Sequence, residues 1–296
     1  TGPNLIVGRA ISVMAEMSGI KIPEKPTEVF WKVELPHLLE NRLTEPEFKT
    51  IASFDFLVLD EAQDLLARPN LWQCLTQFLS GGISKGAFAL FGDFENQVLT
   101  ERNSILNEFK TLVKYDRPVR WKLTENCRNY RIVGDTAVKL AGIDQNVYSG
   151  YLRTGGSMKD YDIHFYSNSK EQIYKLRQYI NEFKKHGYLK SEITILSFRA
   201  DNLSAAHSLK ESGYKLLPAW MSGNFTKFTS VHAFKGMENK VIILTDVALD
   251  NKDFHRDLFY TGMTRATESV RVLCYEKSKA TILNWLMGER ADEGKK

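Results

Sequence analysis

Short apolar segments alternate along the chain, from Phe54 onward, with longer segments in which apolar residues recur at helical spacing. The apolar segments are rich in β-branched and aromatic residues, a pattern typical of a parallel sheet with crossover helices, so the sequence predicts an α/β fold. Several of these segments end in a polar or acidic residue, and open α/β sheets bind ligands at the carboxyl ends of their strands. The predicted strands are FDFLVL (54–59), AFALFG (87–92), DIHFYS (162–167), ITILSF (193–198), VIILTD (241–246) and VRVLCY (270–275).

Two of the intervening segments have clear helical signals. Residues 170–185 carry their apolar side chains on one stripe and are followed by Gly187, and residues 202–212 are followed by Gly213. A glycine just past the last periodic residue commonly ends a helix. Residues 1–50 are different, because prolines interrupt short helical segments and no strand pattern is present. We therefore expect a peripheral or inserted helical segment there.

Composition narrows the class of protein without identifying a function. The chain has 296 residues, of which 43% are hydrophobic and 26% charged, as expected of a soluble globular protein. Its longest apolar runs are far shorter than the roughly 20 residues of a membrane-spanning helix. No secretory signal pattern is evident, so we expect a cytoplasmic protein with no membrane partner. The formal charge of +4 only weakly favours a polyanionic partner.

Cysteine spacing argues against two kinds of structural site. The three cysteines are Cys74, Cys127 and Cys274. They are too far apart in sequence to form a CxxC pair, so neither a zinc site nor a disulfide framework is predicted.

The segment LVLDEAQD (57–64) delivers two adjacent carboxylates, Asp60 and Glu61, at the end of a predicted strand. Phosphoryl transfer to water uses such a pair, since one carboxylate can hold Mg²⁺ while its neighbour orients or deprotonates the attacking water. The alternative is an acidic turn whose carboxylates cap the next helix. Taken alone, the segment leaves both interpretations open.

The segment FGDFENQ (91–97) follows the next predicted strand. The Gln97 side chain at its end has the donor and acceptor groups needed to sense a terminal phosphate. An Asp/Asn-rich surface loop is the alternative interpretation.

Three further segments complete an ordered series: LTENCRNY (123–130), FTSVHAFKGMENKVIIL (228–244) and LFYTGMTRATESVRVL (258–273). In their order and spacing, all these segments together resemble the UvrD/Rep-type superfamily 1 helicases. In that family DEAQD is the Walker B element and GDxxQ is a sensor. The resemblance extends from about Phe54 to Cys274 and implies two RecA-like parallel-sheet lobes.

The resemblance implies a catalytic role for several residues in ATP hydrolysis. Asp60 corresponds to the carboxylate that holds Mg²⁺, Glu61 to the general base and Gln97 to the γ-phosphate sensor. Arg128 and Arg265 correspond to cations that reach the γ-phosphate across the interdomain cleft, where a planar guanidinium neutralises developing charge. The alternative for both arginines is a pair of surface salt bridges.

The resemblance also implies binding roles. Gly236 and Glu238 correspond to nucleotide-binding positions, with Glu238 at the ribose. Thr229 and His232 lie where the family contacts single-stranded DNA. A structural role is the alternative for His232.

The chain departs from the family pattern at three places. Cys127 stands where an aromatic residue usually stacks on adenine, for which Tyr130 is a candidate substitute, and Val98 and Leu99 replace base-stacking aromatic residues. No G-x-x-x-x-G-K-[ST] phosphate-binding loop occurs in the 296 residues. Two explanations remain open: a fragment that lacks this loop, or a natural protein that has lost hydrolysis.

These observations predict an incomplete first RecA-like domain at residues 1–122 and a second at 123–296. The expected function is part of a helicase or translocase that couples hydrolysis of ATP with Mg²⁺ to movement on single-stranded DNA, with RNA as the weaker choice. The alternatives are a nucleic-acid-binding or regulatory module without hydrolysis and an ATPase switch that controls an attached nuclease. Because the phosphate-binding loop is absent, we expect this chain alone to hydrolyse ATP negligibly.

Overall fold

A computed structural model describes residues 6–46, 48, 53–94, 102–116, 118–141, 147–249 and 253–287. The chain divides into two compact units, Thr1–Trp121 and Lys122–Lys296. Each unit has its own elements and its own core. Across the described ranges, no helix has the length and apolar composition needed to cross a bilayer.

The first unit is mostly helical and contains a small parallel sheet. Its two strands, β1 (Phe56–Leu59) and β2 (Ala87–Leu90), pair in register from Phe56 opposite Ala87 to Leu59 opposite Leu90. The helices are α1 (Ala10–Met17), a π-helical turn (Phe30–Glu34), α2 (Leu35–Leu43), α3 (Gln63–Leu66), α4 (Pro69–Phe78), α5 (Gly82–Lys85) and α6 (Arg102–Tyr115).

One side of this small sheet packs on the core of the first unit. Leu57, Leu59 and Leu90 contact a cluster built mainly from α1, α2 and α4, in which Leu35, Leu39 and Phe78 are fully buried. The helical character predicted for residues 1–50 is observed in α1 and α2, but these helices form part of the core rather than a peripheral segment. Side chains alternate across a strand, so Phe56 and Val58 point to the other side. They are 56% and 61% exposed. Among the described residues, nothing covers the apolar face of this sheet that carries Phe56 and Val58.

The second unit contains a six-stranded parallel sheet in the order β5-β10-β9-β6-β8-β7. The central strands are buried on both faces, which explains their near-continuous apolar sequences. The predicted α/β class is confirmed, and this sheet is consistent with a RecA-like parallel-sheet fold. The strands are β5 (Tyr161–Tyr166), β6 (Ile193–Ser197), β7 (Leu216–Pro218), β8 (Thr226–Ser230), β9 (Asn239–Val247) and β10 (Ala266–Tyr275).

Helices cover the second sheet, and a short parallel pair precedes it. That pair joins β3 (Glu125–Asn126) to β4 (Gly150–Tyr151). Of the two strands, β4 lies in the Gly/Ser-rich stretch after Val147. The helices are α7 (Arg131–Ala141), α8 (Ser169–Lys185), α9 (Ala205–Glu211), α10 (Asp253–Met263) and α11 (Lys279–Met287).

Candidate nucleotide and nucleic-acid sites

The two acidic residues predicted for catalysis in the first unit form a tight turn after β1. The Glu61 backbone N–H donates to Asp60 Oδ1 at 2.9 Å, and Gln63 Nε2 donates to the Glu61 carboxylate. Glu61 has φ of 50°, a left-handed conformation that non-glycine residues adopt at a cost. Both carboxylates are exposed. The turn therefore presents two carboxylates to solvent from a strained backbone.

The acidic turn is fastened to the segment that follows β2. Phe91 N–H donates to the Leu59 carbonyl at 2.8 Å, and Ala62 N–H donates to the Phe91 carbonyl at 2.9 Å. A Cβ on Gly92 would lie 2.1 Å from Gln63 Oε1, so a larger residue there would force the Gln63 side chain to move. The glycine of the GD motif thus packs directly against the DEAQD motif.

The structure does not test the two remaining predictions for this unit, the phosphate sensor and the magnesium ligand. Gln97, the predicted phosphate sensor, lies outside the described residues, as do Val98 and Leu99. Asp60 remains the predicted magnesium ligand. Within the described ranges no three His, Cys, Asp or Glu side chains converge on a metal position, although Mg²⁺ commonly uses only one or two protein carboxylates.

In the second unit, residues 126–130 form a turn organised by asparagine side chains. Asn126 Oδ1 accepts hydrogen bonds from the backbone N–H groups of Arg128 and Asn129, each at 3.0 Å. Asn126 Nδ2 in turn donates to Asn129 Oδ1 at 3.0 Å. Both asparagines are buried and their amides are mutually satisfied. The turn fixes the backbone from which Arg128 projects.

Asn129 attaches this turn to the segment that carries Arg265. Its Nδ2 donates to the carbonyls of Thr264 at 3.0 Å and Ala266 at 2.6 Å, on both sides of Arg265. Tyr130 N–H donates to the Thr267 carbonyl at 3.1 Å. The family pattern ascribes roles to the arginines, but the buried amide of Asn129 is what holds the two segments together.

Three predicted nucleotide residues meet as a result. Arg128 Nε donates to Glu238 Oε2 at 2.7 Å, and Arg265 Nη1 donates to the Met237 carbonyl at 3.5 Å. The Arg265 carbonyl accepts from Asn239 N–H at 3.1 Å. We call Arg128, Glu238 and Arg265 the amino-edge cluster, because β9 and β10 begin immediately after Glu238 and Arg265. Its position differs from the expectation that ligand chemistry gathers at the carboxyl ends of strands.

Arg153 supports the cluster and was not predicted. Its Nη1 donates to the Arg128 carbonyl at 3.1 Å, its Nη2 lies 3.4 Å from Glu268 Oε1, and its guanidinium lies 4.9 Å from the centre of the Tyr130 ring. The Tyr130 ring therefore already has a cationic partner. Cys127 is exposed. No local motif surrounds Arg153, so its role depends on tertiary contacts alone.

The segment predicted to contact nucleic acid links opposite edges of the sheet. It leaves β8 at its carboxyl end, where Val231 N–H donates to the Ser197 carbonyl at 3.0 Å, and reaches the amino end of β9 at Asn239. We call residues 231–238 the crossover. His232 is exposed on it, and Gly236 has φ of 82°. The crossover therefore connects His232 directly to Glu238 of the amino-edge cluster.

Thr229, the other residue predicted to touch nucleic acid, lies before the crossover on β8. It is 2% exposed, and its hydroxyl has no hydrogen-bond partner within the described part of the chain.

A buried carboxylate at the opposite, carboxyl edge was also not predicted to have a role. Asp246, near the end of β9, is 4% exposed and has φ of 60°. It accepts hydrogen bonds from Gln172 Nε2, Ser197 Oγ, the Ala205 backbone N–H and Thr245 Oγ1, at 2.8 to 3.2 Å. Asp246 therefore ties α8, β6 and the start of α9 to β9. The acidic end of VIILTD was the only sequence signal.

Comparison with known proteins gives one family match. Residues 227–273 match the UvrD-like helicase C-terminal domain, a range that contains Thr229, His232, Gly236, Glu238 and Arg265. No curated protein matches the chain. The crystal structure of the C-terminal domain of a possible DNA helicase from Lactobacillus plantarum WCFS1 covers 51% of this chain and 88% of its own, with 12% identity. Its TM-score of 0.39 is too low to establish a shared fold. The family match lies within the second unit, so this segment of the C-terminal portion is similar to the UvrD-like helicase C-terminal domain.

Proposed function

We propose that the protein is an ATP-dependent translocase or helicase that moves on single-stranded DNA. The observation that carries this proposal is the amino-edge cluster, in which Arg128, Glu238 and Arg265 are brought together by contacts of Asn129 and the crossover. These residues are distant in sequence, and their convergence is what a nucleotide site requires.

The chemistry of the cluster suits a nucleoside triphosphate. Two guanidinium groups neutralise charge that develops on a transferred phosphoryl group, and a carboxylate accepts hydrogen bonds from ribose hydroxyls. The Arg128 and Glu238 side chains are 40% and 52% exposed, so their ion pair is a weak surface pair. Binding of ATP therefore exchanges this pair for contacts with the nucleotide at little cost.

The crossover supplies a route for coupling. His232 stands near its start and Glu238 at its end, so a change in one contact is transmitted through a single short segment. Phe234, 4% exposed, anchors the middle of that segment in the core. We propose that nucleic acid bound at His232 alters the position of Glu238, and that ATP binding has the reciprocal effect.

The first unit contributes the carboxylates in this proposal. Asp60 helps to hold Mg²⁺, and Glu61 accepts a proton from the attacking water. Magnesium, when bound, supplies charge neutralisation at the phosphates.

Steady-state ATP hydrolysis by the full-length protein, with and without single-stranded DNA, tests the proposal. Glu61→Gln should reduce turnover by about 10²-fold or more while nucleotide binding is retained, because a positioned general base is lost. Glu45→Gln is the control, since the Glu45 side chain forms an exposed pair with Arg42. Absence of hydrolysis in the presence of DNA would favour a binding or regulatory module instead.

A further inference from the structure

An exposed turn joins β7 to β8 at the end of the second sheet. We call residues 218–225 the Trp220 turn. Trp220 and Met221 at its tip are 66% and 47% exposed. The strand β7 is an edge strand, so the turn lies at that lateral edge of the sheet. Trp220 and Met221 thus place two adjacent apolar side chains in solvent on one short segment.

Strand register gives the location of the tip. Pro218 pairs with Phe228, and Ala219 N–H continues the ladder by donating to the Phe228 carbonyl at 3.0 Å. Met221 N–H then donates to the Pro218 carbonyl at 3.0 Å, which closes the turn. Trp220 therefore lies at the carboxyl edge of the sheet, beside the end of the strand that leads to His232.

The chain segment that carries the Trp220 turn contains basic residues but no acidic ones. Between Ser212 and Met237 the chain contains three lysines and His232 but no aspartate or glutamate. Lys227 Nζ donates to the Met221 carbonyl. The tip of the turn is thus held by a lysine and lies in a stretch of sequence without carboxylates. Aromatic faces combined with basic side chains bind single strands by stacking and by phosphate neutralisation.

We propose that Trp220 stacks on a base of single-stranded nucleic acid and extends the binding surface at the carboxyl edge beyond His232. This inference rests on the proposed function, because it assumes that the carboxyl edge of β8 faces the nucleic acid. A polyanion fits this edge better than an apolar protein partner does, because the acid-free stretch of sequence supplies only positive charge.

Binding of a fluorescently labelled oligothymidylate to the full chain, followed by anisotropy at low salt, tests the inference. Trp220→Ala should weaken binding by about 5-fold or more, the effect expected from losing one stacked base. Trp220→Phe should keep most of the affinity, since phenylalanine retains an aromatic face. The matched control is Tyr174→Ala, because Tyr174 is 65% exposed and lies on α8, outside the Trp220 turn. That control should bind as wild type does.

A second readout separates stacking from a structural role. The quenching of tryptophan fluorescence by unlabelled oligothymidylate should fall in Trp220→Phe although affinity is retained, because the stacked tryptophan is gone. Unchanged affinity in Trp220→Ala together with unchanged quenching in Trp220→Phe would overturn the inference. The Trp220 turn would then be better explained as a surface that binds a protein partner. If His232→Ala weakens binding but Trp220→Ala does not, only the inference fails. If wild type does not bind at all, the proposed function fails with it.

Discussion

Asp246 is the most heavily hydrogen-bonded buried carboxylate described in the second unit. Loss of this carboxylate should destabilise the fold. Four donors converge on its two oxygens, from Gln172, Ser197, Ala205 and Thr245. Removal of the carboxylate would leave these buried donors without an acceptor, and each such group costs about 1–3 kcal/mol if it stays dry. At the residue scale, therefore, the hydrogen bonds that hold the carboxyl ends of β6 and β9 together depend on a side chain outside every recognised motif.

Asp246→Ala should lower the free energy of unfolding by about 3 kcal/mol or more. Urea denaturation at neutral pH measures the change. Glu28→Ala is the control, because Glu28 forms an exposed pair with Lys32 and should change stability by less than about 0.5 kcal/mol. Equal effects of the two substitutions would mean that the Asp246 network contributes little.

Thiol reactivity provides a second test at the residue scale. Burial, aided by the nearby Glu40 carboxylate, raises the pKa of Cys74 to about 11, and burial raises that of Cys274 to about 12. Because a raised pKa keeps a thiol protonated at neutral pH, both should resist thiol reagents, while the exposed Cys127 should react. We expect one fast-labelled cysteine in the native chain and three after denaturation. Bound ATP should protect Cys127 if the adjacent Arg128 meets the nucleotide.

At the scale of elements, the crossover is the segment on which coupling depends, and Gly236 allows its shape. Gly236 has φ of 82°, and a Cβ built there would meet nothing within 4 Å. Substitution by alanine would therefore introduce backbone strain without a steric clash, at a cost of about 1 kcal/mol. Gly187, at the end of α8, has φ of 91° and equally open surroundings. Comparing alanine substitutions at Gly236 and Gly187 therefore separates an effect of strain in the crossover from a general effect of backbone strain.

Gly236→Ala and Gly187→Ala should lower the free energy of unfolding by similar amounts, about 1 kcal/mol each. Only Gly236→Ala should reduce the stimulation of ATP hydrolysis by single-stranded DNA in the full-length protein, since only that glycine lies between His232 and Glu238. Thermal unfolding and steady-state turnover are the two measurements. Identical stimulation in both variants would show that the crossover does not couple the two edges.

Element by element, the long apolar strands and the regular helices could be predicted from the sequence. VIILTD lies within the observed β9, and residues 170–185 lie within the observed Ser169–Lys185. The short strand β7 (Leu216–Pro218) and the partly polar β8 (Thr226–Ser230) were not predicted. Their backbones pair because neighbouring strands are present, and neither has the long apolar run that marks a strand locally.

At the scale of the whole molecule, the motifs indicated which residues matter in the second unit but not how they are held. The pattern singled out Arg128, Glu238 and Arg265, yet their convergence depends on Asn129 and Arg153, which act across more than a hundred residues of sequence. Sheet order is likewise a tertiary property: β10 lies between β5 and β9 although it comes last in the chain. Long-range pairing of this kind leaves no local signature.

The central claim is that the amino-edge cluster acts on ATP, and turnover of the Arg265→Ala variant in the full-length protein tests it most directly. The variant should lower kcat by roughly 10³-fold or more, in the range for an arginine that meets transition-state charge, and Arg265→Lys should not restore it because a point charge lacks the planar fork. Tyr174→Ala should hydrolyse ATP as wild type does. Full turnover by Arg265→Ala, with DNA present at saturation, would contradict the account.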